Sequence, residues 1–253
     1  MIPSVLRSSV VSAASVTLVA VPAIASSEDC ALLSADERRR ATRFAVEKPR
    51  AAFITARAAL RRLLADTLRC EADAIRFDTD AQGRPFLVDP VDSTLDFNAS
   101  HSEAVAAIAI ARGGRVGVDV EWHGRDTALR DLVPEVMGVR ESALLATLEA
   151  DEFTRAFFGC WTRKEALVKA HGIGISFPLR NIDIPTAASG RAIRVTLEPD
   201  SIWSVSTFTP QTDYTLSVAL AGEPLRVSQQ PRHASFRVPQ SCPPPTAREQ
   251  GPE

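Results

Sequence analysis

The run Val116-Gly-Val-Asp-Val-Glu-Trp122 alternates with period two. A strand is the structure that such a run forms, with Val116, Val118 and Val120 on one face and Gly117, Asp119 and Glu121 on the other. The valine face has to be covered, so the chain must build a sheet and a core around this segment. The opposite face carries two carboxylates roughly 7 Å apart along the strand. Like charges so placed raise one another's pKa unless a cation lies between them, and hard oxygen donors suit Mg²⁺ better than a soft-ligand metal. A magnesium site is the simplest explanation of the pair.

About forty residues on stands Trp161-Thr-Arg-Lys-Glu-Ala-Leu-Val-Lys169. Phe153, Ala156, Phe157, Cys160, Trp161, Leu167 and Val168 recur at helical spacing on one arc, which predicts a helix over Glu152–His171. Lys164 falls near the middle of that arc, where an ammonium either snorkels out or meets a buried anion. Glu165 and Lys169 lie beside the arc, one turn apart. Alone they would be an ordinary i, i+4 surface pair worth about 0.3–0.5 kcal/mol. The lysine inside the apolar arc tips the reading toward function.

At 253 residues and 45% hydrophobic content, the chain can bury one sizeable core or two small lobes, as a soluble globular protein. A net charge of −2 points to no nucleic-acid partner. The charge is uneven, however. Ser34 to Arg69 holds ten Lys or Arg against four acids, a local +6 suited to an anionic ligand, although most of these arginines read as solvated helix faces. Cys30, Cys70, Cys160 and Cys242 are scattered, with neither zinc spacing nor a disulfide framework, which fits reduced thiols in the cytoplasm. Val10 to Ala25 is open to two readings, a signal peptide ending at Ala23-Ile-Ala25 or a first strand over Val16–Val21. No stretch is apolar and long enough to cross a bilayer.

Along the chain, Ser34-Ala-Asp-Glu37 is a capping-box signature that opens a short basic helix to about Phe44, and a second helix is expected over Arg50–Arg69. Strands are expected over Ala74–Phe77, Phe86–Val88, Ser93–Phe97 and Val105–Ala111, ahead of the Asp119 strand. Helices follow near Arg125–Val136 and Arg140–Ala150, and after Gly172 come strands over Ile182–Ile184, Ala192–Leu197, Ile202–Phe208 and Tyr214–Ala219. The last 31 residues hold seven of the seventeen prolines and read as a disordered tail. The expected divisions are an extension over 1–15, an N-terminal lobe over 16–112, a C-terminal lobe over 113–222 with the metal site, and the tail over 223–253. A third cluster, Phe97-Asn-Ala-Ser-His-Ser102, sits at a strand end and offers His101 as a donor to phosphate.

These clusters, in this order, resemble the 4′-phosphopantetheinyl transferases, in particular their long, two-lobed Sfp-type branch. The resemblance runs from about Leu33 to Gly222 through Ser34-Ala-Asp-Glu-Arg, Gly83-Arg-Pro85, Phe97-Asn-Ala-Ser-His-Ser, Gly-Val-Asp-Val-Glu, Trp-Thr-Arg-Lys-Glu-Ala-Leu-Val-Lys and Gly172-Ile-Gly-Ile-Ser-Phe-Pro178. It implies an α+β fold of two similar lobes related by a pseudo-twofold, each an antiparallel sheet packed with helices. It also implies transfer of the phosphopantetheine arm of coenzyme A to a serine of an apo acyl or peptidyl carrier protein, by a monomer in the cytoplasm with no membrane partner. Asp119, Glu121 and Glu165 would hold Mg²⁺, with Glu165, or a water it holds, as base and Lys169 stabilising charge on the pyrophosphate. The coenzyme A set is Arg40, Arg84, Ser100, His101, Lys164 and Lys169, with Arg40 and Arg84 near the 3′-phosphate. Glu37 departs from the pattern, standing where some relatives carry a basic residue, and Glu141 is a further acidic candidate. The competing reading is a magnesium-dependent hydrolase of nucleotides or of the coenzyme A pyrophosphate.

Overall fold

The structure, a computed structural model, describes residues 5–11, 14–124, 128–174, 177–185, 192–198 and 201–222. In chain order its elements begin with β1 (Val5–Val11), β2 (Ala14–Ala20), α1 (Ser27–Leu32), α2 (Ala35–Ala41), α3 (Glu47–Leu68), β3 (Arg76–Thr79) and β4 (Pro85–Asp89). They continue with β5 (Leu95–Ser102), β6 (Val105–Arg112), β7 (Val116–Trp122), α4 (Leu129–Val136), α5 (Val139–Leu145), α6 (Ala150–His171), β8 (Ile193–Glu198), β9 (Ser201–Gln211) and β10 (Tyr214–Ala221). One four-stranded sheet runs β1-β2-β6-β5 and a second runs β7-β10-β9-β8, both antiparallel throughout, while β3 and β4 form a separate hairpin. The fold is α+β, as expected.

The alternation of β6 shows how the layers stack. Val105, Ala107, Ala109 and Ala111 join Val116, Val118, Val120, Leu216 and Val218 in a core between the two sheets. Ala106, Ile108 and Ile110 point the other way, onto the Ala and Leu stripe of α3. A strand buried on both faces reads as a continuous apolar run, and Val105–Ala111 is one. On the far side, α6 covers the second sheet through Ala166, Leu167 and Ala170, packed with Val205, Trp203 and Ala219. The order is therefore helix, sheet, sheet, helix, with the carboxylate face of β7 turned toward α6.

Gly117 makes that last contact possible. A Cβ there would lie 2.0 Å from the Ala166 carbonyl oxygen and 2.5 Å from the Ala170 nitrogen. Backbone cannot move aside as a side-chain tip can. Gly117→Ala should therefore force α6 off β7 and lower stability by about 1–3 kcal/mol or more, with loss of activity, as read by urea unfolding and a transfer assay. An alanine variant of wild-type stability would show that the helix does not rest on this glycine.

β5 and β7 are edge strands of different sheets, lying side by side. Asp96, Asn98 and Ser102, alternate residues of β5, accept the backbone N–H groups of Val116 (2.7 Å), Val118 (3.0 Å) and Trp122 (3.0 Å). Side chains thus satisfy an edge that would otherwise present unpaired donors.

Several expectations change. Val5–Val11 pairs with β2, so residues assigned to an extension over 1–15 extend the first sheet, and β2 covers most of the Val16–Val21 strand reading. α1 was not anticipated; Ser26 caps it by accepting the Asp29 N–H at 3.0 Å. The capping box at Ser34 and Glu37 forms as the sequence predicts. Ile182–Ile184 is not a strand: both isoleucines are buried, and the Ile184 N–H goes to the Glu141 carboxylate at 3.2 Å. The Pro-rich tail over 223–253, the start of the helix expected from Arg125, and Ile175-Ser176 lie outside the described residues. Among the described residues no helix is long and apolar enough to cross a membrane.

Candidate active site

Asp119 sits at the middle of the β7–α6 contact, 2% exposed. Its Oδ1 takes the Lys169 ammonium at 2.6 Å and the Ser100 hydroxyl at 2.9 Å, while Lys169 also reaches Ser100 Oγ at 3.3 Å. Three residues that the sequence placed on separate elements thus converge from β5, β7 and α6. Two positions along β7, the Glu121 Oε2 accepts the Ser102 hydroxyl at 2.9 Å. Burial pushes the Glu165 pKa up, with the Asp119 charge adding to the rise and Lys169 opposing it. At Lys169, burial disfavours the ammonium, but the charge and hydrogen bond of Asp119 together with Glu165 and Glu121 outweigh it and raise the pKa. The four ionisable groups therefore share one electrostatic neighbourhood.

The donor set fits a divalent cation. Asp119 Oδ2 is buried with no hydrogen-bond partner. An orphaned carboxylate oxygen in a protein interior is costly, and a hard cation is a partner that would satisfy it. Among the described residues no three His, Cys, Asp or Glu side chains close into a metal cage. Asp119, Glu121 and Glu165 are thus not gathered into such a group here, and Mg²⁺, which is commonly held by one or two carboxylates together with substrate phosphates, does not require it.

Next to Ser100 opens a cavity of about 200 Å³ lined by Arg40, Phe53, Gly83, Pro85, Ser100 and His101. It shares Arg40, Phe53 and Pro85 with a larger cleft of about 730 Å³ beside the β3–β4 hairpin. The Arg40 guanidinium lies over the Phe53 ring at 5.2 Å, with its charge on the cavity wall. His101 belongs to β5 itself, opposite Ala106, so the strand runs past the end expected at Phe97. Desolvation and then the Lys169 charge lower its pKa, against the pull of Asp119, so a free imidazole favours the neutral form. Arrival of a phosphate would draw the proton back on, because a nearby anion favours the charged ring.

Two residues expected among the coenzyme A contacts are engaged with protein partners. Lys164 is fully buried; its ammonium pairs with Glu141 and donates to the Val136 carbonyl at 2.8 Å. Glu141 in turn accepts the N–H of Gly138 at 2.8 Å and of Ile184. The lysine thus met a buried anion, the second of the two fates open to it, and the pair ties α5 to α6. Arg84 is likewise turned inward: it donates to Asp96 at 2.6 Å, to the carbonyls of Phe97 at 3.2 Å and Val116 at 2.8 Å, and to the Lys169 carbonyl. It fastens the Gly83–Pro85 turn to β5, β7 and the end of α6, with its donors directed to protein acceptors.

Glu37, where a basic residue was noted as absent, pairs with Arg57 at 3.3 Å and Arg61 at 2.8 Å. Part of the basic block is therefore neutralised within the protein, and Arg62 adds to this through Asp29 at 2.7 Å. Sequence reasoning places Ser102 at the edge of the third cluster beside Ser100 and His101 but gives it no role. The signal was present in the period-two polar face Asp96, Asn98, Ser100, Ser102.

A helix-flanked pair of antiparallel sheets with an acid and lysine cluster beside a cavity walled by Arg40 suits a phosphate-handling enzyme, and comparison gives the class. Residues 26–112 match the family model for the N-terminal part of 4′-phosphopantetheinyl transferases, and residues 115–219 match that of the 4′-phosphopantetheinyl transferase superfamily. The chain is 34% identical over 193 residues to the 4′-phosphopantetheinyl transferase HetI of Nostoc, covering 76% of this chain and 80% of that one. It is 35% identical over 152 residues to a putative 4′-phosphopantetheinyl transferase of Synechocystis, covering 60% and 62%. To the human L-aminoadipate-semialdehyde dehydrogenase-phosphopantetheinyl transferase it is 26% identical over 162 residues, covering 58% and 51%. The chain belongs to the 4′-phosphopantetheinyl transferase family and is an enzyme of the transferase class. The hydrolase alternative gains nothing from these relatives.

Proposed function

We propose that the protein moves the 4′-phosphopantetheine arm of coenzyme A onto the serine of an apo acyl or peptidyl carrier protein, with Mg²⁺, and releases adenosine 3′,5′-bisphosphate. The observation that carries this reading is the meeting of Asp119, Lys169 and Ser100 at the edge of the cavity holding Arg40 and His101. Asp119, Glu121 and Glu165 would hold the ion; when bound, it supplies charge neutralisation on the pyrophosphate and polarises the phosphoryl group under attack.

The residues of the chain do the rest. Arg40 and His101 receive the phosphate end of coenzyme A at the cavity wall. Lys169 places positive charge where the pyrophosphate oxygens gather. Glu165 accepts the proton of the carrier serine directly or through one water. The serine oxygen bonds to the β-phosphorus as that phosphorus parts from the bridging oxygen, which leaves with the adenosine bisphosphate. Lys164 and Arg84 have no part in this ligand set, since their donors serve the interior.

The test is incubation of the protein with coenzyme A, Mg²⁺ and a panel of apo carriers, followed by intact-mass measurement. Gain of one phosphopantetheine on a carrier supports the reading. Hydrolysis of coenzyme A without carrier modification would replace it with the hydrolase.

The same reading includes a monomer working in the cytoplasm. The location is supported by Cys30, Cys70 and Cys160, the cysteines among the described residues, being free thiols. Burial first, and then the Glu141 charge, push the Cys160 thiol up to about 11. At pH 8 only on the order of one molecule in a thousand carries that thiolate, so Cys160 should resist iodoacetamide while the half-buried Cys30 and Cys70 are alkylated. Peptide mapping after timed labelling checks this. Equal rates at all three would show that Cys160 is accessible.

A further inference from the structure

Ser102 is 5% exposed, at the last residue of β5, with its hydroxyl between two groups of β7. Its oxygen accepts the Trp122 N–H at 3.0 Å and its hydrogen is donated to Glu121 Oε2 at 2.9 Å. The backbone donor orients the hydroxyl. With a lone pair committed to a backbone N–H, the single proton is aimed at the carboxylate. A hydrogen bond to a charged acceptor in a buried setting is stronger than a neutral one and fixes the direction of its partner.

Ser100 repeats the arrangement two residues earlier. It donates to Asp119 at 2.9 Å and accepts from the Lys169 ammonium at 3.3 Å. Two serines spaced by two on β5 therefore hold two carboxylates spaced by two on β7. The strands belong to different sheets, so the first sheet sets the aim of acids carried by the second.

We infer that Ser102 is a positioning residue, which orients the Glu121 carboxylate for the divalent cation without touching ion or substrate. The inference rests on the proposed role of Glu121 as a metal ligand. Outer hydrogen-bonding partners of metal ligands commonly govern affinity by 10–100-fold.

The test uses the full chain and reads metal binding directly. Mn²⁺ is titrated into protein saturated with coenzyme A, and free Mn²⁺ is followed by electron paramagnetic resonance. Ser102→Ala should weaken Mn²⁺ binding by about tenfold or more. Ser102→Thr, which keeps the hydroxyl, should stay within a few-fold of wild type, and Ser102→Val, of the same shape as threonine without the hydroxyl, should behave like alanine. Coenzyme A affinity measured without metal should be unchanged in all three.

The threonine and valine pair carries the conclusion if the alanine variant does not fold, because only the hydroxyl separates them. Glu121→Ala in parallel separates the two levels of the argument. If Glu121→Ala weakens Mn²⁺ binding and the loss of the Ser102 hydroxyl does not, the positioning role is overturned and the ligand assignment stands. If neither has an effect, the ligand assignment falls and takes the inference with it.

Discussion

Asp119→Ala is expected to lower carrier modification by about a thousandfold or more, with no recovery at raised Mg²⁺. The size follows from the worth of charge stabilisation in phosphoryl transfer, where several kcal/mol of barrier rest on the cation and its partners. The side chain has two jobs in the structure: one oxygen anchors Lys169 and Ser100, and the other is buried without a protein partner. Removing it takes away the orphan oxygen together with the anchor of Lys169. The fold should survive, since Lys169 is 30% exposed and can turn toward water. Circular dichroism and thermal unfolding would confirm a native fold, and a steady-state assay over a range of Mg²⁺ would measure the loss. Turnover within a few-fold of wild type would remove Asp119 from the catalytic site.

The second large effect concerns stability. Lys164→Ala should cost about 3–5 kcal/mol in urea unfolding, because it leaves the Glu141 carboxylate, 2% exposed, without its counter-ion. Glu141→Ala should cost a similar amount for the opposite reason. Replacing both, Lys164→Met with Glu141→Leu, should recover much of the loss, as buried ion pairs often exchange well for apolar packing. At a temperature where the single variant is folded, its KM for coenzyme A should match the wild type. A cost under about 1 kcal/mol, or a KM raised tenfold with stability intact, would return Lys164 to the ligand set.

How much of this was legible in the chain depends on the range of the interaction concerned. The faces of β7 followed from alternation alone, since a pleated strand turns each next residue over. The phase of α6 followed from its apolar arc, and the start of α2 from Ser34 and Glu37, which sit three residues apart and bond to each other. The outer edge of the first sheet was not legible in the chain. β1 lies in a stretch with a mixed pattern, and its pairing with β2 is a contact between segments that no period within either one announces. Ile182–Ile184 misled for a related reason. Its apolar spacing is that of a strand, yet the Ile184 backbone donor was taken by a carboxylate from α5.

The candidate site divides along the same line. Asp119, Glu121, Glu165, Lys169, Ser100 and His101 were all readable as candidates, because each lies in a short cluster whose residue types imply phosphate or cation chemistry. The sequence by itself thus determined the strand that carries the acids, the helix that faces it, and the order of clusters that places the chain in its family. Only the tertiary structure decided which charges meet. Lys164 and Glu141 are 23 residues apart, and Arg84 and Lys169 are 85 apart. Periodicity reports the direction of a side chain relative to its own element, whereas an ion pair or hydrogen bond exists only where two atoms come within about 3 Å. That distance is set by how layers stack. It is why two arginine and lysine side chains with equal charge to their neighbours became internal fasteners, and why Ser102 gained a carboxylate to aim.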